Sequence, residues 1–324
     1  MNIPKSKLIS RQTKEGVIKF VVGIIRWVFL LSISYILLYP MLYMLSSAFR
    51  APGDFIDPTV VWVSKNFSVK NFVIAFKALD YLKTFWSTFK IEIVSAFIEI
   101  VMCSITAYGL ARFDFKEKKF LMGMLIATIL IPTQMIMVPL MVNMRNLDVF
   151  GILGAISKLV GTELRPNLLN TPWAFYLPSI FAVGLKAGLF TYMYVQFFKG
   201  LPKELEEAAS IDGAGPVKTF LTIVVPSSGT IFLTVTIFSI IWHWNDTYLS
   251  SLFLSDDYPL SVQLSRIFTI LGTGIDGVQY GKYNRSTIGI VMAACLLVIL
   301  PMLIMYCILQ KRFIKSIDRV GIVG

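Results

Sequence analysis

Side chains that could carry catalysis are scarce in this sequence. His243 is the only histidine, so sites that need two histidines, such as HExxH zinc sites, are excluded by count. The run GTGIDG at 272–277 matches GxGxxG, but it neither follows a strand pattern nor opens a helix, so it does not predict a dinucleotide site. Gly281-Lys282 lacks the Ser or Thr that follows the lysine of a Walker A loop. We expect no catalytic residue, no metal site, no cofactor and no ATP site in this chain.

A polar stretch, LPKELEEAASIDGAG at 201–215, interrupts the apolar second half of the chain. Pro202 suits a first helical position, and three glutamates then complement the positive end of a helix dipole. These glutamates are Glu204, Glu206 and Glu207. Gly213 can adopt a positive φ and end the helix, and Gly215-Pro216 can begin a second one. The stretch predicts a helix of about 11 residues, roughly 16 Å long.

One side of this predicted helix carries Leu205, Ala208, Ala209 and Asp212, at i, i+3, i+4 and i+7. Small residues on one face and turns at both ends suit a helix that docks into a groove of another protein. By residue type alone, an ordinary interfacial loop helix remains an alternative. The order of the residues favours docking.

Charged and aromatic residues inside apolar segments form a second candidate site. Glu99 and Lys186 fall within apolar segments, where a charge costs about 2.5 to 3.5 kcal/mol. They predict either an ion pair or a shared polar lining of a path; contacts with water or with another subunit are the alternative. Aromatic rings beside polar groups suit sugar binding, and the candidates are Tyr192, Tyr194, Trp242, Trp244 and Asn245. An aromatic belt at the membrane interface explains the tryptophans equally well.

The elements that must position these residues are membrane spans. The chain is 56% hydrophobic and 15% charged, with a mean hydropathy of +0.72, which is more apolar surface than a soluble core of this length hides. Six segments are long and apolar enough to span a bilayer. They lie near 23–49, 86–111, 120–144, 173–198, 221–244 and 287–310. The fold class predicted is therefore all-α, with six transmembrane helices.

Lys and Arg concentrate in short connections on one side of these spans: before 20, at 112–119, at 199–218 and after 310. The positive-inside rule then places both termini and the stretch 201–215 in the cytoplasm. Basic edges facing anionic lipid headgroups account for the net charge of +11, so no nucleic acid partner is needed. We divide the chain into a cytoplasmic tail at 1–22, a transmembrane domain at 23–310 with a cytoplasmic loop at 200–226, and a second tail at 311–324.

The order of residues in the polar stretch resembles the EAA loop of permease subunits of binding-protein-dependent ABC importers. The family pattern is EAA, three residues, Gly, nine residues, Ile, one residue, Leu-Pro. This sequence has Glu207-Ala208-Ala209, Gly213, Ile223 and Val225-Pro226 at those spacings. Val225 is the one departure, where Leu is usual.

Further runs resemble the carbohydrate-uptake, maltose-type branch of this family. They are AYGLARFDF at 107–115, WHWND at 242–246, YPL at 258–260 and QKRFIKS at 310–316. The likeness covers most of the chain from about residue 20.

This resemblance implies the ABC importer type I permease fold, with a coupling helix between spans four and five that contacts an ATPase. The coupling residues it implies are Glu204, Glu207, Ala208, Ala209, Asp212, Gly213 and Pro226. The candidate translocation path is Glu99, Lys186, Tyr192, Trp244 and Asn245. The tail at 311–324 resembles tails that reach the ATPase, and its basic residues equally suit a headgroup anchor.

The resemblance also implies partners: a second, non-identical permease, an ATPase dimer that binds ATP and Mg, and an extracytoplasmic sugar-binding protein. The chain is then a transporter subunit of a bacterial or archaeal cell membrane that delivers a sugar or oligosaccharide. Two alternatives stay open: an ABC permease for a non-sugar solute, and a stand-alone secondary transporter or intramembrane enzyme.

Overall fold

The computed structural model describes residues 5–60, 62–148, 151–281 and 285–320. Their regular secondary structure is helical, apart from two isolated β-bridges that join Arg50 to Phe67 and Ile275 to Val278. The predicted all-α class is therefore confirmed for these residues.

The first half of the chain contains one long helix followed by shorter ones. They are α1 (Lys5–Ala48), α2 (Lys70–Ala78), α3 (Tyr81–Thr88), α4 (Val94–Arg112), α5 (Lys118–Leu130), α6 (Thr133–Arg145), α7 (Ile152–Val160) and α8 (Trp173–Ile180). A 3-10 turn at Pro52–Phe55 follows α1, and a π-helical turn at Phe89–Ile93 joins α3 to α4.

The second half ends in another long helix. Its elements are α9 (Ala187–Gly200), α10 (Glu204–Ile211), α11 (Pro216–Thr219), α12 (Val225–Ser227), α13 (Gly229–Trp244), α14 (Tyr248–Phe253), α15 (Leu260–Ser265), α16 (Ile267–Thr273) and α17 (Arg285–Val320). A π-helical turn at Phe220–Val224 joins α11 to α12.

Three helices are long and apolar enough to cross a membrane: Ile18–Ala48, Tyr81–Arg112 and Thr287–Gln310. Two bent pairs raise the number to five if each pair is one span. α5 and α6 meet at 106°, and the segment Pro216–Ser227 meets α13 at 82°. The chain is thus a multi-pass helical membrane protein.

The predicted span at 173–198 is not one continuous helix. α8 ends at Ile180 and α9 begins at Ala187. Between them Ala182 and Lys186 have positive φ, 53° and 65°, a conformation that an L-residue cannot repeat along a helix. Pro178 lies just before the break.

The chain divides into two compact units. The first comprises Met1–Ala75 and Tyr283–Leu296. In it, Asp54 organises the segment after α1 by accepting hydrogen bonds from the Asn66 backbone N–H, the Ser64 hydroxyl and the Asn66 amide. These bonds, the Asn66 backbone N–H foremost, lower the pKa of Asp54 to about 2.

The second unit comprises Phe76–Lys282 and Leu297–Gly324, and it holds both candidate sites. Its core forms where α4 lies against α9. Small buried residues of the two helices, such as Cys103, Ala107 and Ala187, allow close approach. The rings of Phe190, Tyr194 and Phe198 fill the remaining space.

Candidate functional site

The polar stretch forms a helix that starts later than the sequence predicts. α10 spans Glu204–Ile211, and Lys203 O accepts the first helical hydrogen bonds. The predicted start at Pro202 is two residues too early, because the first helical hydrogen bonds run to Lys203 O and not to the carbonyl of Leu201. The Arg112 guanidinium donates to Leu201 O at 2.9 Å, which keeps this turn outside the helix.

Gly213 ends α10 as the sequence predicts, with a φ of +76°. Its N–H donates to Ser210 O at 3.0 Å, and the N–H of Ala214 donates to Ala209 O at 2.9 Å. This pair of bonds is a Schellman motif, in which the residue at the position of Gly213 is left-handed. Pro216 then begins α11.

α10 is bound to the end of α4 by an ion pair whose side chains are mostly buried. Arg112 Nε lies 2.6 Å from Glu206 Oε1, and the two side chains are 7% and 18% exposed. The Tyr108 hydroxyl donates to Glu206 Oε2 at 3.3 Å. Glu206 therefore fixes α10 to the membrane-spanning helix, a role that the sequence assigned to no residue.

The opposite side of α10 is exposed. Glu204, Leu205, Glu207, Ala208 and Asp212 are all exposed, whereas Ala209 is buried within the chain. The sequence predicts that one docking face carries Leu205, Ala208, Ala209 and Asp212. That prediction is wrong for Ala209, which is buried. Ala209 lies about one turn after Glu206, whose side chain meets the end of α4, so the two residues share the inner side of α10.

The end of the motif lies in the bent connection to α13. Ile223 belongs to the π-helical turn, and Val225-Pro226 begins α12. Pro226 is exposed, and the chain turns by 82° directly after this segment.

A cavity of about 410 Å³ lies within the second unit. Most of its wall is apolar and comes from α5, α6, α8, α9, α13 and α14. The polar or aromatic members of the wall include Glu92, Lys186, Trp242, His243 and Asp246. Of the five candidate path residues, only Lys186 lines this cavity.

Glu99 faces His243 instead of Lys186. Glu99 Oε2 lies 3.3 Å from His243 Nε2, and both side chains are almost fully buried. His243 Nδ1 lies 2.9 Å from Ser239 O, and a carbonyl only accepts, so Nδ1 carries a proton.

Lys186 lies directly before α9, in the break between α8 and α9. Its ammonium is 5.9 Å from the centre of the Trp242 ring, a cation–π contact. The predicted Glu99–Lys186 ion pair is wrong, because the break before α9 carries Lys186 away from the helical position that would face Glu99.

The remaining candidate path residues have separate environments. Trp244 is buried, and its Nε1 donates to Val298 O at 3.1 Å. Asn245 is exposed and donates to Ile241 O at 2.8 Å. Tyr192 is half-buried on α9.

Two buried acids of the cavity wall were missed by the sequence reasoning. Glu92 Oε1 and Asp246 Oδ2 lie 2.6 Å and 2.9 Å from Ser250 Oγ. Asp246 belongs to the run WHWND, and Glu92 lies in a predicted span as Glu99 does. The intramembrane position of Glu92 was therefore a signal that could have identified it.

Comparison with protein families gives one match over most of the chain. Residues 100–319 match the family described as "Binding-protein-dependent transport system inner membrane component". The matched range includes α10 and every residue of the cavity wall except Glu92.

Two curated relatives cover nearly all of the chain. The melibiose/raffinose/stachyose import permease protein MelC of Bacillus subtilis (strain 168) is 31% identical, over 88% of this chain and 91% of that protein. The diacetylchitobiose uptake system permease protein NgcG of Streptomyces coelicolor is 25% identical, over 88% of this chain and 84% of that protein.

A solved structure has a similar fold. It is the crystal structure of a bacterial ABC transporter involved in the import of the acidic polysaccharide alginate. One of its chains superposes with a TM-score of 0.65 at 18% identity, over 90% of this chain and 96% of that one.

Proposed function

Because the chain belongs to the family of inner membrane components of binding-protein-dependent transport systems, we propose that it is the permease subunit of an ATP-driven sugar importer. It forms the pathway together with a second, non-identical permease. An extracytoplasmic binding protein delivers the sugar, and an ATPase dimer that binds ATP and Mg drives the cycle. The family makes it a transport component and not an enzyme.

The proposed permease subunit has six membrane spans. Three continuous helices and two bent pairs supply five, and the pair α8 and α9, broken between Ile180 and Ala187, supplies the sixth. With α10 in the cytoplasm, an even number of spans places both termini on that side.

α10 is the coupling helix of this account, and its geometry is the observation that carries the proposal. Its inner side is fixed to α4 through Arg112 and Glu206, whereas Glu207 and Ala208 are exposed. A helix that is firmly held on one side and free on the other can act as a rigid lever when a partner moves it. ATPase closure would then reach the membrane helices through the anchor.

The relatives' names support sugars as the transported class. They include melibiose, raffinose and stachyose import, diacetylchitobiose uptake and arabinooligosaccharide transport. A second candidate is an osmoprotective solute, because an osmoprotective compounds uptake permease of Synechocystis is 25% identical over 89% of this chain.

The test uses proteoliposomes that contain this chain, its second permease and its ATPase, together with the binding protein. Uptake of radiolabelled melibiose, raffinose, stachyose, diacetylchitobiose and glycine betaine is measured with and without ATP. ATP-dependent uptake of a sugar supports the proposal. Uptake of glycine betaine alone favours the second candidate, and ATP-independent uptake by the purified chain alone contradicts both.

A further inference from the structure

α7 lies in the loop between α6 and α8, and its exposed side is apolar. The residues of that side recur at i, i+3, i+4, i+7 and i+8, which is the spacing of one helix face. They are Ile152, Ala155, Ile156, Leu159 and Val160. Leu159 is 86% exposed and Val160 is 62% exposed. A contiguous apolar stripe that the chain itself leaves uncovered marks a contact with a partner or a membrane.

The opposite side of α7 is held by hydrogen bonds within the loop. The Asp148 carboxyl accepts from the N–H groups of Leu153 and Gly154, at 3.0 Å and 3.1 Å. The Ser157 hydroxyl donates to Leu153 O at 2.7 Å, and its oxygen accepts from the N–H of Leu164 at 3.0 Å. These bonds fix the rotation of α7 about its own axis. The apolar face therefore points away from the loop.

Three glycines define where α7 begins, where it ends and how closely Asp148 approaches it. Gly151 and Gly161 flank the helix with φ of +77° and +75°, a conformation that L-residues with a side chain rarely adopt. A Cβ on Gly154 would lie 2.5 Å from Asp148 Oδ2, so a side chain there would displace the carboxyl from the helix. The orientation of the apolar face is thus built into the loop.

A recess of about 670 Å³ borders the polar side of α7. Among the described residues its wall includes Ser157, Lys158 and the ion pair of Glu163 with Arg165, whereas Leu159 lies outside it. The Glu163 side chain is 56% exposed, so this side of the helix faces water. α7 therefore separates an aqueous recess on one side from an apolar face on the other.

The loop that carries α7 is tied to the end of a membrane helix. The N–H of Leu147 donates to Pro166 O at 3.1 Å, and the N–H of Leu168 donates to Met144 O at 2.8 Å. These two bonds hold both ends of the loop at the C-terminal end of α6, which forms a candidate span together with α5. The apolar face of α7 thus lies within reach of the bilayer surface.

Charge and size favour lipid over a protein as the occupant of this face. Lys158 is exposed and lies at the edge of the face, one turn after Ala155. A lysine in this position keeps its methylene groups on apolar surface while its ammonium reaches the headgroup phosphates. The face belongs to a helix about 14 Å long. By itself it is smaller than the roughly 800 Å² that each partner contributes to a standard protein interface.

We infer that α7 is a membrane-surface helix. It inserts Ile152, Ile156, Leu159 and Val160 into the outer leaflet and places Lys158 at the lipid headgroups. Helices with one apolar and one polar face lie in the membrane plane in this way. The leaflet follows from the orientation proposed above, whereas the insertion does not depend on which solute is transported. α7 thereby holds the loop after α6 against the bilayer.

The experiment uses nitroxide spin labels on the assembled transporter in vesicles of phosphatidylethanolamine and phosphatidylglycerol. All cysteines are first replaced by alanine, in this chain Cys103, Cys295 and Cys307. Leu159→Cys and Lys158→Cys are a matched pair, because the two residues are adjacent and exposed but only Lys158 lines the recess. Ile152→Cys is a second probe of the apolar face. Electron paramagnetic resonance measures how often each label collides with oxygen, which concentrates in lipid, and with a water-soluble nickel chelate.

We expect the labels at Leu159 and Ile152 to have an oxygen-to-nickel collision ratio severalfold higher than the label at Lys158. The ratio should stay high with and without the binding protein, because lipid is present in both cases. Leu159→Glu should lower the ratio at Ile152 severalfold, since a carboxylate is costly in an apolar layer. Thr162→Glu should leave that ratio unchanged, because Thr162 is an exposed residue of the recess.

Three results overturn the inference. Equal ratios at Leu159 and Lys158 place the apolar face in water. Low collision rates of the Leu159 label with both reagents show that another subunit covers the face. Low rates that appear only when the binding protein is added show that the binding protein is the occupant. A transporter that imports no sugar but retains the high ratio at Leu159 contradicts the proposed function and leaves this inference standing.

Discussion

Arg112 Nε lies 2.6 Å from Glu206 Oε1, at the only place where the loop after α9 forms an ion pair with a membrane-spanning helix among the described residues. The contact joins the C-terminal end of α4 to the first turn of α10. The carboxylate sits near the positive end of the α10 dipole, and the guanidinium near the negative end of the α4 dipole, so both helices favour it. We regard it as the joint through which α10 acts on the membrane helices.

Reversal of one charge should break this joint. Arg112→Glu or Glu206→Arg leaves two like charges in a nearly buried place, which we expect to cost about 3 kcal/mol. The melting temperature of the purified transporter, followed by tryptophan fluorescence, should fall, and binding-protein-stimulated ATPase activity should be lost. The double variant Arg112→Glu with Glu206→Arg should recover part of both.

Glu204→Arg provides the matched control, because Glu204 is an exposed acid of the same turn. Its melting temperature should stay close to that of the wild type. If the double variant is no better than the single ones, or if Glu204→Arg destabilises equally, the ion pair is not the joint.

Substitutions at Gly213 should act through the backbone conformation of the helix cap and not through steric clashes. A Cβ at this position would meet no atom within 4 Å, but φ is +76°. Gly213→Asn should therefore be tolerated, Gly213→Ala should cost about 1 kcal/mol, and Gly213→Pro should abolish transport because proline requires a negative φ and lacks the N–H that bonds Ser210 O. ATP-dependent uptake measures the series. Equal uptake by the Asn and Pro variants would show that the Schellman turn is unimportant.

Gly184 should tolerate no side chain, because it lies against Glu99. A Cβ at Gly184 would lie 2.9 Å from Glu99 Oε1 and 3.0 Å from Ser179 Oγ. We expect Gly184→Ala to displace the buried carboxyl and lower the melting temperature. Gly109→Ala in α4 is the control: its Cβ meets nothing within 4 Å, and alanine should gain about 0.5 to 1 kcal/mol in a helix. Equal behaviour of the two variants would contradict the packing described here.

Glu99 should couple to His243 and not to Lys186. In a double-mutant cycle, Glu99→Gln and Lys186→Met should be additive within about 0.5 kcal/mol, whereas Glu99→Gln and His243→Asn should not be. The free energy of unfolding or the logarithm of the uptake rate serves as the readout. Strong coupling of Glu99 to Lys186, with none to His243, would restore the ion pair that the sequence predicts.

The helical class, the cap at Gly213 and the second helix at Pro216 could be read from the sequence because each depends on residues close together in the chain. Turn and cap chemistry is local. The start of α10 could not be read, because the carbonyl of Leu201 accepts from the distant Arg112 and the first helical hydrogen bonds run to Lys203 O instead. The inward position of Ala209 could not be read either, since it depends on which side of α10 meets α4.

The partners of the intramembrane charged residues could not be predicted from the sequence either. Hydropathy identifies Glu99 and Lys186 as costly inside a bilayer, but it does not tell which helices will be neighbours. Glu99 finds His243 on α13, and α4 packs against both α9 and α13. The pairing of Glu92 with Asp246 through Ser250 likewise requires the packing of distant segments.

The central claim, that the exposed side of α10 receives the force of an ATPase, is tested most directly with Glu207→Lys in the reconstituted transporter. Glu207 is exposed and has no role in the anchor, so the charge reversal should leave the melting temperature and the membrane assembly unchanged. The account predicts that binding-protein-stimulated ATP hydrolysis and sugar uptake are both lost in this variant. Wild-type rates of both activities in Glu207→Lys would contradict it.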